Sequence, residues 1–142
     1  MTDAERRAIE ADCERLIKQY VNLNDAQEWD ACAALYTADA RMGRPSGGPM
    51  VVGRDAILAG FKARPPRAQR HTVSNIVVDV EDTDHASAFS VIVLYQGDPA
   101  AAGELPALSA NSPLIGWYRD RLVRTAEGWR FAERVGGLDF KP

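Results

Sequence analysis

The spacing of apolar residues changes character near Gln69. Before that residue, apolar side chains recur at intervals of three and four, which is the spacing of an amphipathic helix. After it, Val-rich and Ile-rich stretches with alternating polar positions are typical of β-strands. Helices followed by an antiparallel meander predict an α+β fold, with the helices packed on one face of the sheet.

Helices are predicted over three segments in the first half of the chain. The first helix starts at the capping-box spacing Thr2-x-x-Glu5, and its apolar stripe closes with Tyr20. The second starts at the similar spacing Asp25-x-x-Glu28, where the aspartate would cap the helix. The predicted helical segments are 2–23, 25–37 and 54–63.

Strands are predicted mainly in the second half, where turn residues separate long apolar runs. The predicted strands are 40–42, 51–53, 70–80, 86–96, 114–125 and 129–135. Ala126-Glu127-Gly128 is typical of a hairpin turn between the last two. Residues 97–113 are rich in Ala, Gly and Pro and predict a long loop, which in a small domain is more often a lid or a mobile flap than a structural connector.

One of the two histidines, His71, lies at the start of the long strand 70–80. Side chains alternate on a strand, so the imidazole shares its face with Val73, Asn75 and Val77. A histidine on such an apolar surface is either a hydrogen-bonded core residue or a general base in a pocket. The second histidine, His85, is predicted to lie in a solvated turn.

Composition narrows the class of protein. With 142 residues, 46% hydrophobic and 26% charged, the chain suits one ordinary globular domain. Its net charge of −3 and pI near 5.4 exclude the basic surface that binds nucleic acid or an anionic membrane. No apolar run approaches the roughly 20 residues that span a bilayer. The N-terminus lacks the apolar stretch of a secretion signal, so we expect a cytoplasmic protein.

Cysteine and motif patterns point away from several chemistries. Cys13 and Cys32 lie far apart on predicted helix faces and are predicted to be buried free thiols. No spacing of His, Cys and acidic residues predicts a metal site. No phosphate-binding loop or nucleophile motif is present, so we expect neither a cofactor nor covalent catalysis.

Six short strings, taken in order, resemble one known family over nearly the whole chain. The strings are Tyr20-x-x-x-x-Asp25-x-x-Glu28-Trp29-Asp30, Leu35-Tyr36-Thr37-Ala38-Asp39-Ala40, Gly53-Arg54-Asp55-Ala56-Ile57, Arg70-His71-x-x-Ser74-Asn75, Gly116-x-Tyr118-x-Asp120-x-Leu122 and Gly128-Trp129-Arg130-Phe131-Ala132-Glu133-Arg134. Together they resemble the SnoaL-like branch of the nuclear transport factor 2-like superfamily. Scytalone dehydratase, the bile-acid dehydratase, the lindane dehydrochlorinase and the polyketide cyclases look like relatives, and the superfamily also contains many non-enzymes.

This resemblance implies a curved, mainly antiparallel sheet wrapped into a cone, with three helices packed on it and a deep pocket inside. In lyases of the group, an aspartate just after the first helix holds a histidine that starts the third strand, and Asp25 and His71 stand at those places. Some members also have a tyrosine and an arginine where Tyr20 and Arg134 stand. The further polar catalytic residue that some of the dehydratases carry on the fourth strand has no counterpart in 89–96.

Each candidate also has a structural interpretation. Tyr20 is either a hydrogen-bond donor to substrate or a core tyrosine. Arg134 anchors a carboxylate or enolate, lies on the surface, or pairs with Asp120. Asp120 is either a second polar group of the site or structural, and Tyr118 on the same strand face is a plausible pocket wall.

The sequence hypothesis is a cofactor-independent lyase or isomerase acting on a small hydrophobic molecule. His71 would remove a proton, Asp25 would orient it, and Tyr20 and Arg134 would stabilise the oxyanion or leaving group. The predicted substrate-binding residues are Tyr118, Asp120, Trp29 and Val73. The alternative is a non-catalytic binding or assembly module of the same fold, and in either case we expect a homodimer formed through the sheet.

Overall fold

Three helices pack against one face of a curved six-stranded sheet in the computed structural model, which describes residues 1–142. The helices are α1 (Asp3–Asp25), α2 (Trp29–Ala33) and α3 (Arg54–Lys62). The strands are β1 (Tyr36–Gly43), β2 (Val51–Val52), β3 (Ala68–Val80), β4 (His85–Gly97), β5 (Leu114–Thr125) and β6 (Gly128–Leu138). The sheet order is β2-β1-β6-β5-β4-β3, antiparallel except between β1 and β6. The predicted α+β architecture is confirmed.

Helix α1 begins where the capping box predicted. The Thr2 hydroxyl accepts a hydrogen bond from the Glu5 backbone N–H, and the Glu5 carboxylate accepts one from the Thr2 N–H. The helix runs past the predicted end and includes Asn24 and Asp25 in its last turn. This extra length brings two polar side chains to the sheet, where Asn24 is 3% exposed. None of the three helices is long and apolar enough to cross a membrane.

The prediction of a second helix over 25–37 is wrong in most of its length. Asp25 ends α1 instead of capping α2, and the cap residue of α2, Glu28, makes no side-chain capping bond. The chain leaves helical geometry before Tyr36, which starts β1 and pairs with Phe131 of β6. Parallel pairing with β6 buries Tyr36 completely, and this tertiary contact overrides the local helical spacing.

Two β-bulges shift the side-chain alternation that the sequence predicted. In β3 the register slips between Ser74 and Val77, and Asn75 adopts a φ of 52°. Val77 is consequently 57% exposed, while the adjacent Val78 is buried. The shared face predicted for His71, Val73, Asn75 and Val77 therefore ends at the bulge.

The second bulge lies in β6, opposite the step from Arg121 to Leu122. Leu122 pairs with Phe131 and Arg121 with Glu133, so Ala132 is the extra residue. The bulge places Phe131 and Arg134 together in the interior, whereas simple alternation predicted opposite faces. It is the reason that an arginine of this strand enters the core.

Both cysteines are free and buried, as predicted. Burial raises the pKa of the Cys32 thiol to about 11 and that of Cys13 to about 12. Only thiolates react quickly with disulfide reagents, so we expect neither cysteine of the native protein to react within minutes and both to react after unfolding in urea. Titration with an aromatic disulfide reagent, with and without urea, measures this. Rapid reaction of either thiol in the native protein would contradict the described core.

Candidate active site

A cavity of about 410 Å³ opens between the C-terminal end of α1, the segment after α3 and the inner face of the sheet. Four predicted site residues line it: Tyr20, His71, Tyr118 and Arg134. Asp25 and Asp120 lie outside the lining, each bonded to a residue that is part of it. Trp29 and Val73 do not line the cavity, so the structure does not bring these two predicted substrate-binding residues to its surface.

His71 and Asp25 meet where the last turn of α1 crosses the start of β3. The His71 ring Nδ1 lies 2.5 Å from Asp25 Oδ1, and the His71 backbone N–H donates to Asp25 Oδ2 over 2.7 Å. The two side chains are only 9% and 4% exposed. Because a carboxylate only accepts hydrogen bonds, Nδ1 carries the proton in the neutral imidazole and Nε2 keeps the lone pair.

The remaining ring nitrogen of His71 is available to a ligand. Nε2 forms no hydrogen bond within the protein. It is also not one of the fully buried polar atoms without a partner, so it is accessible. Since His71 lines the cavity, this nitrogen is reached from the cavity side. The arrangement is that of a general base oriented by a carboxylate.

The second histidine provides an internal comparison. His85 Nδ1 lies 2.9 Å from Asp82 Oδ1, so the same two groups are paired there. These side chains are 55% and 59% exposed, as the predicted solvated turn requires. Water competes for both groups at that site, whereas the His71 pair is shielded from solvent.

Tyr20 is part of a buried hydrogen-bonded tyrosine pair. The Tyr36 hydroxyl donates to the Tyr20 oxygen over 2.9 Å, which leaves the Tyr20 hydrogen free to be donated elsewhere. Burial raises the pKa of the Tyr20 phenol above its usual range, so the group stays protonated. The sequence placed Tyr36 on a helix and therefore missed it.

Arg134 forms a bidentate ion pair with Asp120 behind this tyrosine. Nε and Nη2 donate to the two Asp120 oxygens over 2.7 and 3.0 Å, and the side chains are 1% and 0% exposed. The pairing with Asp120 is therefore observed, and a surface position for Arg134 is excluded. Burial alone would lower the pKa of Arg134, but the Asp120 carboxylate raises it, so the guanidinium stays charged.

The Arg134 guanidinium also lies against aromatic rings of the cavity wall. Its central carbon is 3.8 Å from the ring centre of Tyr118 and 4.4 Å from that of Tyr20. Cations favour the faces of aromatic rings. Its third nitrogen, Nη1, has no hydrogen-bond partner, and such an orphan donor is costly in a purely structural core.

Asn24 organises a polar wall that sequence reasoning missed. Its side-chain oxygen accepts hydrogen bonds from Arg64 over 3.3 Å and from Gln69 over 3.0 Å. The Arg64 guanidinium carbon lies 5.5 Å from the Trp29 ring centre, so Trp29 supports this arginine instead of contacting a substrate directly. The available signal was the position of Asn24, one helical turn after Tyr20 and in line with the apolar stripe of the first helix.

The long loop does not cover the cavity. No residue of 98–113 belongs to its lining. Instead the loop folds back on the end of β4, where the Ser109 N–H and hydroxyl both donate to the Gln96 carbonyl over 2.9 Å. The predicted lid is therefore wrong for this cavity.

Comparison with known proteins identifies the family of the fold. The profile of the SnoaL-like domain family matches residues 5–135. No curated protein matches the chain significantly. Among solved structures, a protein of Novosphingobium aromaticivorans provisionally named a scytalone dehydratase is 22% identical, with a TM-score of 0.79 over 98% of this chain and 89% of that one.

Two further solved structures have the same fold. An NTF2-like protein with a cystatin-like fold from Novosphingobium aromaticivorans is 24% identical, with a TM-score of 0.74 over 98% of this chain and 89% of that one. A ketosteroid isomerase-like protein from Erwinia carotovora atroseptica is 18% identical, with a TM-score of 0.73 over 92% of this chain and 96% of that one. At these identities the likeness establishes the fold.

Proposed function

We propose that this chain, which belongs to the SnoaL-like family, is a cofactor-independent lyase or isomerase. The observation that carries the proposal is the shielded contact between His71 and Asp25 at the wall of a cavity of about 410 Å³. The names of the structural neighbours agree with this reaction class, since one is provisionally named a scytalone dehydratase and another is described as ketosteroid isomerase-like.

His71 acts as the base in this proposal. Asp25 holds the imidazole with Nδ1 protonated and stabilises the imidazolium that forms when Nε2 takes a proton. The substrate is a carbon acid, in which a carbonyl or a ring next to the C–H bond delocalises the negative charge. Elimination of water or halide, double-bond migration and aldol cyclisation all begin with such a proton transfer.

Tyr20 and Tyr118 stabilise the charge that develops on the substrate oxygen. Tyr20 donates its free hydrogen to the substrate while its oxygen accepts a hydrogen bond from Tyr36. The hydrogen bond from Tyr36 makes Tyr20 a stronger donor. The Tyr118 hydroxyl has no partner in the protein and belongs to a cavity-lining residue. Arg134 lies under both rings and favours negative charge near them, so its role is positioning and electrostatic.

Apolar side chains define the rest of the substrate class. The cavity is also lined by Met42, Ile92, Leu94, Leu114 and Leu138. A volume of about 410 Å³ suits a small ring-containing or carbonyl-bearing molecule. We therefore expect substrates with a hydrophobic body.

The experiment that tests the proposal is a thermal-shift screen of carbonyl compounds against the wild-type protein and His71→Ala, followed by turnover assays on every ligand that stabilises both. We expect ligands that stabilise both proteins and are converted only by the wild type. Equal conversion by both would remove His71 from the mechanism. Binding without conversion of any ligand would favour a binding module and contradict the proposal.

Removing the Tyr20 hydroxyl tests the oxyanion site. We expect Tyr20→Phe to lower kcat by about 10²–10³-fold, the usual effect of losing one oxyanion donor. Tyr36→Phe should have a smaller effect, since it removes only the bond that supports Tyr20. The matched control is Tyr95→Phe, because Tyr95 is 39% exposed on β4 and does not line the cavity. A Tyr20→Phe variant as active as Tyr95→Phe would contradict this assignment.

A further inference from the structure

The cavity carries positive charge although the protein as a whole is acidic. Its lining includes Arg44, Arg64, Arg67 and Arg134, and it contains no aspartate or glutamate. The chain has a formal net charge of −3, so acidic residues are not scarce elsewhere. Acidic side chains are therefore present in the chain but absent from this lining. Guanidinium groups that are not neutralised there create a positive local potential.

Only one of these arginines is neutralised by the protein. Arg134 is paired with Asp120, whereas Arg44, Arg64 and Arg67 have no carboxylate oxygen within 4.0 Å. Two arginines outside the cavity do have such partners, since Arg41 lies 3.7 Å from Glu133 and Arg124 lies 3.7 Å from Asp84.

Neutral groups hold two of the unpaired arginines in place. Arg64 donates to the Asn24 side-chain oxygen over 3.3 Å, and its guanidinium lies 4.7 Å from the Phe61 ring centre. Arg67 donates to the Gln96 side-chain oxygen over 2.6 Å. These contacts fix the orientation of each guanidinium and leave its charge uncompensated. A fixed fork of N–H donors with uncompensated charge matches the geometry of an oxyanion.

The third arginine is accommodated by a glycine. A Cβ atom on Gly60 of α3 would lie 3.1 Å from Arg44 Nη2, closer than most such contacts. The absence of a side chain at Gly60 lets Arg44 lie along α3 beside the cavity. Arg64 and Arg67 both lie between α3 and β3, and Arg44 lies next to α3 at Gly60, so the three unpaired guanidinium groups belong to the side of the cavity that these two segments form.

We infer that this side of the cavity, the arginine rim (Arg44, Arg64 and Arg67), binds an oxyanion group of the substrate, either a carboxylate or a phosphate. The substrate is then an amphipathic organic anion, with its apolar body inside and its reacting carbon facing His71. This inference rests on the proposed function, since it describes the substrate of the same cavity. It adds a charged group to the small hydrophobic molecule that the sequence predicted.

Isothermal titration with matched probes tests the inference without turnover. The probes are benzoate, phenylacetate and cinnamate, the amide of each acid, and benzyl phosphate. We expect at least one anion to bind wild-type protein about tenfold or more tightly than the neutral amide, since charge-assisted hydrogen bonds exceed neutral ones by that much. A preference for acids identifies a carboxylate, and a preference for benzyl phosphate identifies a phosphate. No preference for any anion would overturn the inference.

Arginine variants test whether the preference for anionic probes arises at the arginine rim. Arg67→Gln and the double variant Arg64→Gln/Arg67→Gln should lose most of it, whereas Arg41→Gln, an arginine paired on the surface, should keep it. Persistence in the double variant would overturn the inference. Should the double variant fail to fold, two other measurements replace it. Arg67→Gln should reduce the preference for anions, and added potassium chloride should weaken the binding of anions but not of the neutral amides. His71→Gln should keep the preference, so a protein without turnover can still confirm the rim.

Discussion

Replacing His71 by glutamine is expected to lower kcat by about 10²–10⁴-fold, the contribution typical of a positioned general base. Glutamine keeps the approximate size of the side chain and can still donate to Asp25, but it cannot accept a proton at the Nε2 position. Ligand affinity should change by no more than a few-fold, because the imidazole acts in the transition state. The measurement is kcat and KM on any substrate found in the screen.

His85→Gln is the matched control for this change. His85 pairs with Asp82 through the same atoms but is 55% exposed on the side chain and far from the cavity lining. Its loss should leave kcat unchanged. If the two variants lost activity equally, or if neither did, the assignment of His71 as the base would be wrong.

Breaking the buried ion pair is expected to have the largest effect on stability. Asp120→Ala leaves the Arg134 guanidinium charged in a position where its side chain is 1% exposed. Removing one partner of a buried pair typically costs about 3–5 kcal/mol, because the other charge remains without compensation. That is a large fraction of the roughly 5–15 kcal/mol by which domains are stable. Urea denaturation measures the free energy of unfolding.

The control lies on the same strand as Arg134. Glu133 pairs with Arg41 over 3.7 Å, and their side chains are 35% and 55% exposed. Glu133→Ala should cost less than about 1 kcal/mol, as exposed ion pairs do. Equal destabilisation by Asp120→Ala and Glu133→Ala would contradict the buried network.

Much of the fold followed from local signals. The capping box at Thr2 and the change of period near Gln69 gave the first helix and the strand region close to their observed bounds. The helix predicted over 25–37 was wrong in most of its length, because pairing with β6 stabilises Tyr36 in a strand more than a longer helix would. The bulge at Asn75 was not predicted, because one inserted residue does not change the composition of the strand.

The candidate site was less accessible to sequence reasoning. His71 and Asp25 are 46 positions apart, and the local pattern alone gave the aspartate the role of a helix cap. The resemblance to a family added a second role, that of holding His71, and the contact is observed. Arg64 and Asn24 were missed because their partnership links positions 40 apart and depends on how α1 ends.

The fourth strand explains how the site differs from that of some relatives. The resemblance noted no polar catalytic residue in 89–96, and the cavity-facing residues there are Ile92, Leu94 and Gln96. Gln96 is already bonded to Arg67. In the proposed mechanism, Tyr20 and Tyr118, whose rings lie against Arg134, therefore supply the second polar groups.

The most direct test of the account is the tautomer of His71 in ¹⁵N NMR spectra of the free, histidine-labelled protein at mildly alkaline pH. The chain has two histidines, so His85→Gln assigns both. The account predicts a single tautomer for His71, with a proton on Nδ1 and an unprotonated Nε2, which is lost in Asp25→Asn. Two rapidly exchanging tautomers at His71, or a proton fixed on Nε2, would contradict it.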